Sequence, residues 1–123
     1  MLSEQQTVSI LEELASNLPG YIAAAVVDLD SGMTLGTYSK DDSFDLSAAG
    51  AYNSELVKQK QKIMTTLNLD SDLEDMLITL SDQIHLVKLI SPVSFVYLAA
   101  DRASSNLAIV RTAVARYADA LAG

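Results

Sequence analysis

The stretch DMLITLSDQIHLVKLISPVSFVYLAA, Asp75 to Ala100, decides the fold. With the residues just before it, it holds three apolar runs: Leu73 to Leu80, Gln83 to Ile90, and Val93 to Ala99. Ser81 and Asp82 separate the first pair and Ser91 with Pro92 the second. Connections that short force antiparallel neighbours, so the three runs are predicted as a β-meander. The opening hexamer, DMLITL, has a single charge at its start and neither proline nor glycine. An uncharged, β-prone segment on an open sheet edge invites pairing with another chain, and lysine, proline or a bulge ordinarily guards against it. None is present here, so something is expected to cover the segment.

Towards the N-terminus, Ser3 and Gln6 have the spacing of a capping box, and Val8, Leu11, Leu14, Ala15 and Leu18 follow at helical intervals. Pro19 and Gly20 stop that helix. Tyr21 to Asp28 is apolar on both alternating faces, with Ala23, Ala24 and Ala25 small enough to admit a close helix, which predicts a central strand. Asp30, Ser31 and Gly32 make a turn, and Met33 to Tyr38 returns as the second arm of a hairpin. Gly36 and Lys40 weaken this arm as a pairing surface, as suits a guarded edge. A final helix is expected from about Ser105 to Leu121, capped by Ser104 or Ser105, with Leu107, Val110, Val114, Tyr117 and Leu121 on one face. The element order is αββαβββα.

The middle helix, Asp45 to Leu67, contains no proline and repeats apolar residues every three or four positions. Laid on a heptad, one seam position reads Leu46, Asn53, Lys60, Leu67 and the other Ala49, Leu56, Ile63. Polar residues such as Asn53 and Lys60 in a seam set register between paired helices. Three heptads equally suit an amphipathic helix lying on its own sheet, and periodicity alone leaves both readings open.

Composition bounds the function. A chain of 123 residues fits one domain, 1–123, able to bury roughly two thirds of its unfolded surface. Sixteen acidic residues against eight basic give a net charge of -8, which repels phosphate backbones and anionic membranes, so no nucleic-acid partner is expected. Lys58, Lys60 and Lys62 cluster near the helix C-terminus, where a solvated cationic face is favoured by the dipole. The longest strongly apolar run, YIAAAVV, is far below the ~20 residues a bilayer crossing requires, so no membrane insertion is expected. MLSEQQ lacks the features of a secretory signal, and there is no cysteine; the chain reads as cytoplasmic.

Catalytic groups are scarce. His85 is the single histidine and lies in a strand, so no histidine pair can hold zinc. Asp70, Asp72 and Glu74 open like a calcium loop, but Asp75 stands where the turn glycine belongs and Ser81 where the closing glutamate belongs. Asp28, Asp30 and Gly32 fail likewise at Ser39. The five glycines are scattered and form no phosphate cradle, and no serine sits in a nucleophile elbow. No catalytic residue, cofactor, metal or nucleotide site is expected.

The order of elements, the hairpin VVDLDSGMTLG, the helix opening DLSAAGAYNSEL, the meander DMLITLSDQIHLVKLI and the end YLAADRASSNLAIVRTAVARY resemble the roadblock family. These are dynein light-chain-like modules that bind or regulate small GTPases. The likeness runs from about Glu4 to Leu121, and Asn106, Leu107, Ala108 and Arg111 match the family's opening of its last helix. Ser31 before Gly32 departs from a tighter Asp-Gly turn. The resemblance implies an α+β, profilin-like fold: a five-stranded antiparallel sheet, the long helix on one face and the two terminal helices on the other. It also implies a homodimer in which the edge strand, with Met76, Leu77, Ile78 and Thr79, pairs with its copy. The long helices would then pack together through Leu46, Ala49, Asn53, Leu56, Lys60, Ile63 and Leu67. By the same resemblance, the expected role is a non-enzymatic regulator or scaffold of a small Ras-like GTPase, able to stimulate hydrolysis without an arginine finger from Arg102 or Arg111. A light-chain or assembly module without GTPase contact is the alternative. A small-molecule sensor is a third reading, disfavoured by the close-packing alanines of Tyr21 to Val27.

Overall fold

The computed structural model describes residues 2–123. Its elements follow the predicted order: α1 (Glu4–Ser16), β1 (Tyr21–Asp28), β2 (Thr34–Ser39), α2 (Leu46–Thr66), β3 (Asp75–Thr79), β4 (Gln83–Ser91), β5 (Ser94–Asp101) and α3 (Leu107–Ala122). The capping box of α1 is formed in full, with Ser3 Oγ accepting from the Gln6 amide and Gln6 Oε1 accepting from that of Ser3. Asp45 caps α2 by accepting from the Ala48 amide at 2.9 Å. The start of α3 differs from expectation. Asn106 is its cap, accepting from the Ile109 amide, while Ser104 belongs to the turn that leaves β5 and Ser105 lies between that turn and the helix.

All five strands form one antiparallel sheet in the order β2-β1-β5-β4-β3. β1, β5 and β4 are interior, which explains why β1 and β5 are apolar on both faces. One face packs on α1 and α3 through Leu11, Leu14, Ala24, Leu86, Val96, Leu98, Val110 and Val114. The other packs on α2 through Ala23, Ala25, Val27, Val57, Val87, Phe95 and Tyr97. The layering is the α+β arrangement expected.

Two glycines set how closely the helices approach. A Cβ on Gly50 of α2 would meet the Val27 side chain at 3.4 Å and the Gly32 carbonyl at 3.3 Å, so α2 rests almost directly on the β1–β2 hairpin. A Cβ on Gly36 of β2 would lie 2.6 Å from Thr7 Cγ2 of α1, a distance that real side chains do not tolerate. That contact also explains why Thr7, and not Val8, is the buried residue of the first α1 turn.

The two sheet edges differ. β2 carries a register irregularity opposite Val26 and Val27, leaving Leu35 unpaired with β1, and it is followed by Lys40. β3 pairs regularly with β4 from Asp75 to Thr79 and has no irregularity. It is shorter than the predicted Leu73 to Leu80 because Leu73 turns in against the α2 side of the core.

Candidate functional site

At the ends of the β3–β4 ladder the Leu89 amide donates to the Glu74 carbonyl at 3.0 Å and the Leu80 amide donates to the Gln83 carbonyl at 2.9 Å. Antiparallel bonding alternates along a strand, so Glu74, Met76, Ile78 and Leu80 bond inward to β4. Asp75, Leu77 and Thr79 therefore point their backbone N–H and C=O groups out of the sheet. These are unpaired donors and acceptors on a strand with no proline, lysine or bulge to block addition of another strand.

The second half of α2, whose Lys60 and Met64 line a depression with Glu74 and Asp75, leaves apolar surface in solvent. Leu56 and Ile63 are each 40% exposed and Leu67 is 62% exposed. After Val57 no residue of α2 is buried, so its last two and a half turns project beyond the core.

The heptad of the sequence is split in space. Leu46, 8% exposed, packs into this chain's own core, and Ala49 leans on the same cluster. Asn53 is half-buried, with its side-chain amide donating to the Ala49 carbonyl at 2.8 Å. Lys60, Leu56, Ile63 and Leu67 face outward. A seven-residue stripe drifts by about 20° per heptad on a straight α-helix, which carries it from the sheet at Leu46 to solvent at Leu67. Leu46 is thereby corrected from a candidate contact to a core residue. On β3, Met76 packs toward the α2 side and Leu77 toward the α1/α3 side, both partly buried, while Ile78 is partly buried and Thr79 exposed. Lys58 is not part of a free cationic face, since its Nζ donates to the Asp30 carbonyl at 3.0 Å.

Arg111 of α3 reaches round the sheet to Asp75, with Nη2 and Nε donating to its two carboxylate oxygens at 2.7 and 2.9 Å. That carboxylate raises the Arg111 guanidinium above its ordinary value, first by hydrogen bonding and then by charge. Periodicity gave no sign of this pair, because 36 residues separate its members. Arg102 Nη1 donates to the Leu80 carbonyl at 2.9 Å and braces the β3–β4 turn.

His85 lies on the α2 side of β4, edge-on to Phe44 and Tyr97. Its Nε2 bonds Gln83 Oε1 at 2.7 Å and its Nδ1 bonds the Tyr97 hydroxyl at 3.1 Å. Burial lowers its pKa against the opposing effect of Asp82, and burial pushes the Tyr97 hydroxyl up to about 12. A neutral ring donating from Nε2 and accepting from Tyr97 satisfies both nitrogens. Among the described residues no three histidine or carboxylate side chains converge on a common point that could hold a metal, and no helix is long and apolar enough to cross a membrane.

No family model matches the sequence, and no curated protein matches it. Solved structures match in three dimensions. MglB of Myxococcus xanthus superposes with a TM-score of 0.87 at 10% identity, covering 99% of this chain and 89% of that one. The gliding protein MglB of Thermus thermophilus gives 0.83 at 17% identity, with 99% and 90% covered. A roadblock/LC7 domain of Streptomyces avermitilis gives 0.81 at 14% identity, with 93% and 92% covered. At such identities the likeness is one of fold, and the fold is that of roadblock/LC7 proteins.

Proposed function

We propose that this chain is a homodimeric, non-enzymatic regulator or scaffold of a small Ras-like GTPase. The observations that carry the dimer are the unpaired backbone groups of β3 and the exposed Leu56, Ile63 and Leu67 of α2, the helix whose Lys60 and Met64 line a depression together with Asp75. A second copy related by a twofold axis satisfies both at once, continuing the sheet through β3 and covering the projecting part of α2. The GTPase is suggested by the roadblock fold and by the sequence resemblance described above.

Such a protein supplies shape. A regulator shifts a switch only through different affinities for its two nucleotide states, and it needs no catalytic group of its own to do so. Arg102 and Arg111 are both engaged within the protomer, by the Leu80 carbonyl and by Asp75. Neither is poised as an arginine finger. Any stimulated hydrolysis then arises from reordering of the GTPase's own residues.

The test is calorimetric titration of the purified chain with Ras-like GTPases from the same cell, each loaded with GDP or a non-hydrolysable GTP analogue. Binding that distinguishes the two states supports the reading. Absence of binding to all of them favours an assembly module of light-chain type.

A further inference from the structure

On the half of the sheet away from β3, a depression of ≈ 370 Å³ lies where α1 starts and α3 finishes. Val26 and Leu121, both buried in the core under α1 and α3, form its floor. Leu35 and Val93 stand at its rim, 45% and 53% exposed. Backbone geometry holds both of them out in solvent. Leu35 occupies the irregularity of β2, unpaired with β1. Val93 sits between β4 and β5, where its carbonyl accepts from the Leu29 amide at 2.8 Å and its amide donates to Ser91 Oγ at 3.1 Å. Apolar side chains presented by tied turns around a concave floor are the marks of an interaction surface.

The charged groups of this depression have one sign. Glu4 and Asp28 line it and no lysine or arginine does. Among the described residues the one ion pair is Arg111–Asp75, so neither carboxylate has a salt-bridge partner. Asp28 Oδ2 accepts from the Ser31 hydroxyl and amide at 2.6 and 3.0 Å, and these bonds hold its carboxyl below the usual carboxylate range. Lys58 is the least of the influences on Asp28, its Nζ being bound to the Asp30 carbonyl. The bias extends past these two side chains. Every lining residue comes from 1–39, 89–101 or 117–123, and those three segments contain no lysine or arginine. All eight basic residues lie elsewhere in the chain.

We propose that this depression is the docking site for a segment of another protein in which aliphatic side chains are flanked by lysine or arginine. The aliphatic groups enter over Val26 and cover Leu35 and Val93, while the cations face the carboxylates of Glu4 and Asp28. A protein segment is favoured over a small ligand because the apolar surface continues outside the depression, through the rim to Met33 of the same hairpin, which is 69% exposed. The site leaves β3 and α2 free, so the inference stands apart from the dimer and GTPase readings.

The test follows backbone amide shifts by NMR in the isotope-labelled full chain, titrated with the capped tetrapeptides Lys-Leu-Leu-Lys, Ser-Leu-Leu-Ser and Lys-Ser-Ser-Lys. The first is expected to give saturable shifts confined to the surroundings of Leu35, Val93 and Leu121. The second should bind on the order of fivefold more weakly, and the third should give no localised shifts. Leu35→Ser should weaken Lys-Leu-Leu-Lys about threefold to tenfold, since the peptide covers the exposed 45% of that leucine. Glu4→Gln with Asp28→Asn should remove the preference for lysine over serine flanks and keep the binding of Ser-Leu-Leu-Ser, because asparagine retains the acceptor that the Ser31 turn uses. Absence of localised shifts with Lys-Leu-Leu-Lys on the wild-type chain refutes the site. Equal affinity for the lysine- and serine-flanked peptides refutes the charge recognition. Self-association beyond a dimer that Leu35→Ser abolishes would assign the surface to a second copy of this chain and overturn the proposal in that form.

Discussion

Leu56→Asp separates an interface role from a folding role, because its neighbour Val57 provides the contrast. Leu56 is 40% exposed in the protomer, whereas Val57 is 0% exposed and belongs to the core under α2. Fully burying a leucine is worth about 1.5–3 kcal/mol, so covering the exposed part of Leu56 contributes about 0.6–1.2 kcal/mol per copy and about 1.2–2.4 kcal/mol per dimer. Leu56→Ala removes much of this and is expected to weaken dimerisation about fivefold to fiftyfold. Leu56→Asp also leaves an unpaired carboxylate in a desolvated contact on each copy, a cost of several kcal/mol, which weakens the dimer more than about a thousandfold. Stability of the separated protomer should change by less than about 0.5 kcal/mol, as for other surface substitutions. Val57→Asp should instead abolish folding. The assay is sedimentation equilibrium across nanomolar to micromolar concentration, with circular dichroism and urea unfolding on the same samples. A Leu56→Asp chain that is folded and retains the wild-type dissociation constant refutes the assignment of this α2 face to the interface.

Gly36→Ala should destabilise the fold by about 1–3 kcal/mol in urea unfolding, because its Cβ would overlap Thr7 of α1, and adding Thr7→Gly should restore part of the loss. His85 is held neutral by burial, so its folded pKa lies below its unfolded value; the stability this confers is fully present above about pH 6.5 and is lost as pH falls through the folded value. Urea midpoints should therefore fall between pH 7.5 and 5, and His85→Gln should flatten that part of the profile; an unchanged slope refutes the assignment. The isolated chain should show no heat of binding with GTP or GDP and no hydrolysis, and tight binding in calorimetry would overturn the non-enzymatic reading. Where a GTPase partner is stimulated, Arg102→Ala and Arg111→Ala should each retain activity within about tenfold, since removing a true finger costs roughly a factor of 10³ or more.

Local features were legible wherever the signal is short in sequence. The capping box at Ser3, the stop at Pro19 and Gly20, the turn at Asp30 to Gly32 and the short β3–β4 turn at Ser81 and Asp82 each depend on residues within a few positions of one another. Such patterns are set by backbone geometry and hold in almost any tertiary surroundings. Misjudged boundaries fell where two local options competed. Ser104, Ser105 and Asn106 can each cap a helix, and the exit from β5 selects Asn106. Thr7 and Val8 are adjacent on α1, and the missing side chain at Gly36 of a different element decides which is buried.

The residues alone establish that β3 lacks an edge guard, that α2 is long and interrupted by polar residues, and that groups for metal or nucleophilic chemistry are scarce. These are properties of composition and spacing. Which heptad residues face outward was settled by the folded arrangement, because the drift of a seven-residue stripe matters once one side of the helix is held against a sheet. Folding likewise joined Arg111 to Asp75 across 36 residues and gathered Arg102, Ser105 and Leu107 beside Thr79. Such contacts depend on where the strands of a folded sheet bring distant segments together, and no periodicity within either segment encodes that meeting.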